Sequence, residues 1–238
     1  MKQLFVTNRH EIKYLANVKE AETFCNSIAD LLIADPQNDG RGYLNHSFYF
    51  DSPEFIFYNQ QIDGLATRSK PRLRTYRPDL NAAPLAIFLE IKYCDNNVIA
   101  KERTPLTSAQ ANTILKGEKV SVEPQNKNNG VLDKFTEMVE RKNLETSIGI
   151  LYRRMAFSCS TQTDLRITLD TQIQFTDCIN LTPPLTELRS IAPSDRAIIE
   201  LKYQTTVPNR ILDAAKFMNF DEADYSKYTD GIKQFYGT

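Results

Sequence analysis

Three tetrapeptides in this chain share one design: residues 11–14 read EIKY, 90–93 read EIKY and 200–203 read ELKY. Residues two apart on an extended strand share a face. Each tetrapeptide therefore sets a carboxylate and an ammonium against an aliphatic and an aromatic side chain. The same alternation places Arg72, Arg74 and Tyr76 opposite Leu73 and Thr75, and Arg166, Thr168 and Asp170 opposite Leu165, Ile167 and Leu169; Lys101 and Arg103 also share a face. An antiparallel sheet with one wet face produces this pattern, and exposed cross-strand ion pairs contribute little. The close arginine spacing, and the recurrence of one device on strands far apart in sequence, fit a second arrangement. That is a barrel with a polar interior whose apolar exterior is covered by helices.

The charge count of such an interior is informative. Lys13, Arg72, Arg74, Lys92, Lys101, Arg103, Arg154, Arg166 and Lys202 face Glu11, Glu90, Asp170 and Glu200, nine bases against four acids. Desolvating an unpaired charge costs several kcal/mol, so the lumen must stay wet or hold an anion. The planar fork of arginine bonds two phosphate oxygens at once. Mg²⁺ or Mn²⁺ binds through one or two carboxylates plus substrate phosphates. The ligand implied is a polyphosphorylated molecule or chain with a divalent cation.

The elements that must position these residues are mostly strands, over 45–51, 71–77, 87–93, 98–103, 150–158, 164–170 and 197–203. Residues 18–34 carry apolar side chains at helical spacing and are expected to form a helix. Further helices are expected over 109–116, closed by Gly117, over 131–143, and over 208–217 and 225–235. Residues 59–64 are expected in a turn, and polar residues 119–130 in a surface loop. This is an α+β pattern, read as a single domain over 1–238 with C-terminal helices in 208–236. The composition is that of an ordinary globular chain: 238 residues, 41% hydrophobic, 25% charged, Lys+Arg 29 against Asp+Glu 30. Near neutrality excludes a histone-like arm, and no nucleic-acid partner is expected. No apolar run is long enough to span a bilayer. Cys25, Cys94, Cys159 and Cys178 form no CxxC pair, which suits reduced thiols in a cytoplasmic protein.

The ordered set of motifs resembles the VTC-type polyphosphate polymerase domain of the triphosphate tunnel metalloenzyme (CYTH-like) superfamily. The residues concerned are Arg9-His10-Glu11-Ile12-Lys13-Tyr14, Ser47-Phe48-Tyr49-Phe50-Asp51-Ser52, Arg68-Ser69-Lys70-Pro71-Arg72-Leu73-Arg74, Phe88-Leu89-Glu90-Ile91-Lys92 and Lys101-Glu102-Arg103. They continue through Leu151-Tyr152-Arg153-Arg154-Met155-Ala156-Phe157, Leu165-Arg166-Ile167-Thr168-Leu169-Asp170-Thr171, Ile199-Glu200-Leu201-Lys202 and Ser226-Lys227-Tyr228. The resemblance implies an eight-stranded antiparallel tunnel, flanked by helices, that moves the γ-phosphate of ATP onto inorganic polyphosphate and releases ADP, with Mn²⁺ or Mg²⁺. It implies that Lys13, Arg72, Arg74, Lys92, Lys101, Arg154, Arg166 and Lys227 grip phosphates. It further implies that Glu200 is the main metal ligand, with Glu11 and Glu90 as further metal candidates or as groups that orient the neighbouring bases. Arg103 and Lys202 line the tunnel by parity. Some relatives work beside a separate membrane protein, so a membrane would be reached through such a partner. Where the wider superfamily begins Glu-x-Glu-x-Lys, this chain has Arg9-x-Glu11-x-Lys13, which favours the polymerase-like branch over a two-metal hydrolase.

Two other readings use the same tunnel: a triphosphatase, or a non-catalytic sensor of polyphosphate, inositol polyphosphate or nucleotide. No GxxxxGK[ST], GxSxG or HExxH motif occurs. His10 and His46, the only histidines, are read as structural or surface residues. Tyr49, Phe50, Phe55, Phe57 and Tyr58 are read as core or tunnel-wall packing.

Overall fold

The structure is a computed structural model that describes residues 4–7, 10–38, 40–95, 98–120, 130–177 and 179–237. Arg9, Cys178 and most of the expected loop (121–129) lie outside the described residues. The chain runs β1 (Leu4–Thr7), β2 (His10–Asn17), α1 (Val18–Ser27), β3 (Leu32–Ala34), β4 (Tyr43–Asp51), α2 (Ile56–Ile62), β5 (Thr67–Arg77), β6 (Ala86–Asp95), β7 (Val98–Pro105) and α3 (Ser108–Leu115). It continues with α4 (Gly130–Lys142), β8 (Glu145–Cys159), β9 (Arg166–Thr176), β10 (Arg189–Ser190), β11 (Arg196–Tyr203), α5 (Asn209–Phe217) and α6 (Lys227–Tyr236).

All strands belong to one sheet, in the order β1-β7-β6-β5-β4-β8-β9-β11-β2, with β3 paired to β8 and β10 to β9. Its pairings are antiparallel. The two ends of this path, β1 and β2, are separated in sequence by only two residues. Three peptide steps span at most about 11 Å, so the sheet has to curl until its edges nearly meet. Counted as one interrupted stave, β1 and β2 complete the eight staves of the expected tunnel.

Local chemistry sets the element ends. Asn17 and Glu20 form a reciprocal capping box on α1, both bonds 2.9 Å, and Thr107 with Gln110 does the same for α3. The expected helix over 18–34 is shorter than its apolar spacing suggests. It stops at Ser27, passes through a 3₁₀ turn (Ala29–Leu31) and becomes β3, where Leu32 faces Cys159 of β8. A sheet ladder there overrides helical periodicity. Residues 56–62, expected partly as turn, form α2 instead. The buried Asp51 carboxylate accepts the otherwise unpaired amides of Phe57 and Tyr58 at the start of this helix, both at 2.9 Å.

Strand parity divides the apolar residues into three cores. On the outer face, Ile167, Leu169, Ile199 and Leu201 pack under α1 and α5 with Phe24 and Ile211. Also outside, Leu73, Leu89 and Ile91 pack with Ala111, Ile114, Leu132 and Phe135 of α3 and α4. The third core is inside. Tyr228 and Ile232 of α6 pack on Tyr49, Ile148, Ile150, Ile173 and Ile198, and Ile150 is the register partner of Ser47, itself the partner of Arg74. The interior is thus not polar throughout, because α6 fills part of one end with apolar contact. Gly231 permits this approach, since a Cβ there would lie 2.6 Å from Ile150 Cδ1.

Gly42 leads the chain into β4 with φ +76°, and a Cβ there would lie 2.3 Å from the Arg154 carbonyl oxygen. Left-handed backbone costs a non-glycine residue roughly 1–2 kcal/mol, and the clash is with backbone that cannot swing aside. Gly42→Ala is expected to lower Tm by about 4 °C or more. A thermal melt equal to wild type would refute this account of the turn.

Candidate functional site

The tunnel holds a cavity of about 600 Å³. All ten basic residues assigned from sequence line it: Lys13, Arg72, Arg74, Lys92, Lys101, Arg103, Arg154, Arg166, Lys202 and Lys227. They come from β2, β5, β6, β7, β8, β9, β11 and the first turn of α6. Lys70 joins them, giving eleven bases. It lies two residues before Arg72 on β5, so strand alternation extends to it, but the expected strand begins one residue too late.

The acids fall into two classes. Glu11 and Glu200 line the cavity. Glu11 contacts Lys13 at 2.7 Å, with Lys202 at 3.7 Å and Lys92 at 3.9 Å. Glu200 contacts Lys202 at 2.8 Å and Arg154 at 3.6 Å. Burial alone would raise the Glu200 pKa, but Lys202, Glu11 as a hydrogen-bond partner, and Arg154 outweigh it and hold it well below the carboxylate range. Glu90 and Asp170 are fully buried behind the bases. Glu90 holds Arg72 through Nε at 2.9 Å and Nη2 at 2.7 Å and Lys101 at 3.3 Å. Asp170 holds Arg154 by two bonds of 2.6 and 2.7 Å, and also Lys227. Burial opposes ionisation of Asp170, yet Arg154 and Lys227 prevail and its pKa is lowered.

Glu90 thus lies behind the cavity lining, in ion-pair contact with Arg72, Arg74 and Lys101. Asp170 plays the matching part on the opposite wall, a role that strand parity alone does not distinguish. Its two cations also flank the Tyr152 ring, Lys227 Nζ at 4.7 Å and Arg154 at 5.3 Å from its centroid, within cation–π range. Arg74 donates to Ser47 Oγ at 2.9 Å, and Arg166 reaches outward to Asp35 at 2.8 Å.

Eleven bases against the five acids that pair with them, Glu11, Glu90, Asp170, Glu200 and Asp35, leave an excess of six positive charges around one cavity. Partly dehydrated cations held this close repel one another, and a multivalent anion relieves that repulsion. Phosphate chemistry needs little more than such positioned charge. Of the two histidines, His10 lines the cavity and His46 does not. His46 is buried, which with Arg77 pushes its pKa down to about 3, and His10 stacks on Tyr203 at 5.4 Å. Among the described residues no three His, Cys, Asp or Glu side chains cluster as a self-contained metal site. The all-oxygen pair Glu11 and Glu200 nevertheless fits a hard divalent cation that completes its shell with phosphate and water. Among the described residues no helix is long and apolar enough to cross a membrane.

Solved structures of similar fold include a candidate adenylate cyclase from Bacillus halodurans, with TM-score 0.56, 12% identity, and coverage of 97% of this chain and 100% of that one. The PH1819 protein from Pyrococcus horikoshii OT3 matches with TM-score 0.50, 12% identity and coverage of 96% and 98%. A candidate adenylyl cyclase from Hippeastrum, described as having a dominant triphosphatase activity, matches with TM-score 0.47, 13% identity and coverage of 96% and 93%. No curated protein matches by sequence. The family model of the VTC domain matches residues 8–236. With a tunnel fold that gathers the motif residues of nearly the whole chain around one basic cavity, the protein belongs to the VTC domain family.

Proposed function

We propose that the chain is a metal-dependent phosphotransferase that moves the γ-phosphate of ATP onto a polyphosphate chain and releases ADP. The observation that carries this reading is the excess of six positive charges around one cavity, too many for a single phosphate and suited to two phosphorylated molecules end to end. A terminal oxygen of the chain attacks the γ-phosphorus, the bond from that phosphorus to the β–γ bridging oxygen breaks, and ADP leaves with the electron pair. The nucleophile is already anionic, so no strong general base is required. Arg72, Arg74 and Lys101 on one wall and Arg154 and Lys227 on the other neutralise charge as it shifts toward the leaving oxygen, in positions fixed beforehand by Glu90 and Asp170. Bound through Glu200 and Glu11, Mn²⁺ or Mg²⁺ would supply further electrophilic stabilisation of the phosphates. A separate membrane protein that takes the polymer away is the partner class this reading allows.

The test is incubation with ATP, Mn²⁺ and a short polyphosphate primer, resolving polymer on a gel and assaying ADP and free phosphate. Polymer with matching ADP supports the proposal. Free phosphate without polymer indicates a triphosphatase, and ligand-dependent thermal protection without turnover indicates a sensor. Glu200→Gln is expected to remove turnover and the dependence on divalent metal together. A wild-type Mn²⁺ titration in that variant would take Glu200 out of the metal site.

A further inference from the structure

The first turn of α6 brings Lys227 into the cavity wall beside Asp170, and the residue next to it is tied to β4. The Tyr228 hydroxyl donates to the Asp51 carboxylate, a contact between residues 177 positions apart in sequence. Asp51 is the last residue of β4 and is fully buried. One of its oxygens accepts the amides of Ser52 at 2.8 Å and Phe57 at 2.9 Å, and the other accepts the Tyr58 amide at 2.9 Å together with the Tyr228 hydroxyl. Three backbone donors hold this carboxylate in one orientation, so it is a fixed point at the junction of β4 and α2. The Tyr228 ring stacks on Tyr49 at 4.9 Å, and the Tyr49 hydroxyl accepts from Arg72 at 3.4 Å. Burial first, and then the charge of Asp51 and its hydrogen bond, push the Tyr228 pKa up, so its hydroxyl remains a donor.

Resting on the phosphate-handling reading above, we propose that Tyr228 and Asp51 are positioning residues for Lys227: their hydroxyl–carboxylate bond fixes the rotation of the first turn of α6, and with it the approach of Lys227 to bound phosphate. Neither side chain lines the cavity, so both act through their neighbour. A lysine side chain is a flexible stem that loses rotamer freedom when it is held, and a cation aimed beforehand stabilises phosphate charge more than one that must be ordered on binding. α6 has a second tie, in which Asp230 accepts from Arg196 at 2.6 Å and from the Tyr225 hydroxyl at 2.7 Å. One tie keeps the helix docked but leaves it free to turn, whereas two set its rotation. Removing the Tyr228 hydroxyl therefore loosens the aim of Lys227 without releasing α6.

The experiment is a double-mutant cycle on tripolyphosphate affinity, read by calorimetry in wild type, Tyr228→Phe, Lys227→Ala and the double variant. Tyr228→Phe keeps the ring and removes the hydroxyl alone. It is expected to weaken binding about tenfold in the wild-type background and about twofold at most in the Lys227→Ala background, because the residue it acts through is gone. Ligand-free Tm controls for folding and should fall by roughly 5 °C in Tyr228→Phe, since Asp51 keeps its amide donors from Ser52, Phe57 and Tyr58. A loss through structure alone would be the same in both backgrounds. Equal losses in the two backgrounds, or no loss in wild type, overturn the positioning role while leaving the tunnel reading intact. The expected cycle without any polymer formation supports the positioning role and overturns the polymerase reading. Wild type that binds no tripolyphosphate overturns both.

Discussion

Arg72→Ala is expected to lower ADP formation by about 10²–10³-fold, the scale on which removal of one preorganised donor lowers turnover. Arg72 lines the cavity and is held by Glu90 through two nitrogens. Its loss removes a fork that bonds phosphate bidentately, while Lys101 and Arg74 remain near the buried Glu90. The fold should therefore survive, and Tm should change far less than turnover. Steady-state ADP release alongside a thermal melt checks both. Turnover within threefold of wild type would remove Arg72 from the reaction.

Arg72 also shows how much of the site is legible in the amino-acid pattern. Alternation along residues 71–77 and 87–93 puts Arg72, Arg74 and Lys92 on one face, and every base so assigned lines the cavity. Period-two patterning reports faces reliably because a slip of one residue would expose the whole apolar set. It does not report depth. Glu90 and Glu200 occupy equivalent places in their tetrapeptides, yet one is sealed behind arginines and the other faces the lumen. That difference comes from which strands lie beside them, Arg72 of β5 flanking Glu90 and Thr168 of β9 flanking Glu200. Depth is likewise why the pattern of α6 reads as a flanking helix although it packs inside. The early end of α1 is hidden for a related reason, since Ile28 and Leu31 keep helical spacing while the backbone leaves to pair with β8.

The second large effect concerns stability. Asp170→Ala is expected to cost roughly 3–5 kcal/mol, the usual consequence of removing one partner from a buried ion pair. It leaves Arg154 and Lys227 close together on Tyr152 without their common carboxylate. At the slope typical of chains this long, Tm falls by roughly 10 °C. The sign with pH is fixed by the lowered folded-state pKa. The contribution of Asp170 is fully present above its unfolded value near 4 and is lost as pH falls through the lower folded value. Denaturant melts should show the difference between wild type and variant shrinking as pH drops below about 4. A difference that stays constant into acid would mean that Asp170 acts by packing rather than by charge.

The order of strands in the sheet has a consequence for synthesis. The last two ladders of the tunnel wall are made by β11, which pairs with β9 on one side and, across most of the chain, with β2 on the other, Glu200 facing Lys13. Until β11 has left the ribosome, β2 has no ladder on that side, and Glu11 and Lys13 lack Glu200 and Lys202 as neighbours. Pairings so distant in sequence form slowly, and an unpaired strand is an invitation to aggregate. The half-made protein is therefore an open, charged trough with a loose N-terminal stave. A nascent chain arrested before residue 196 should be protease-sensitive across residues 10–17, and that sensitivity should disappear once residues 196–203 are exposed.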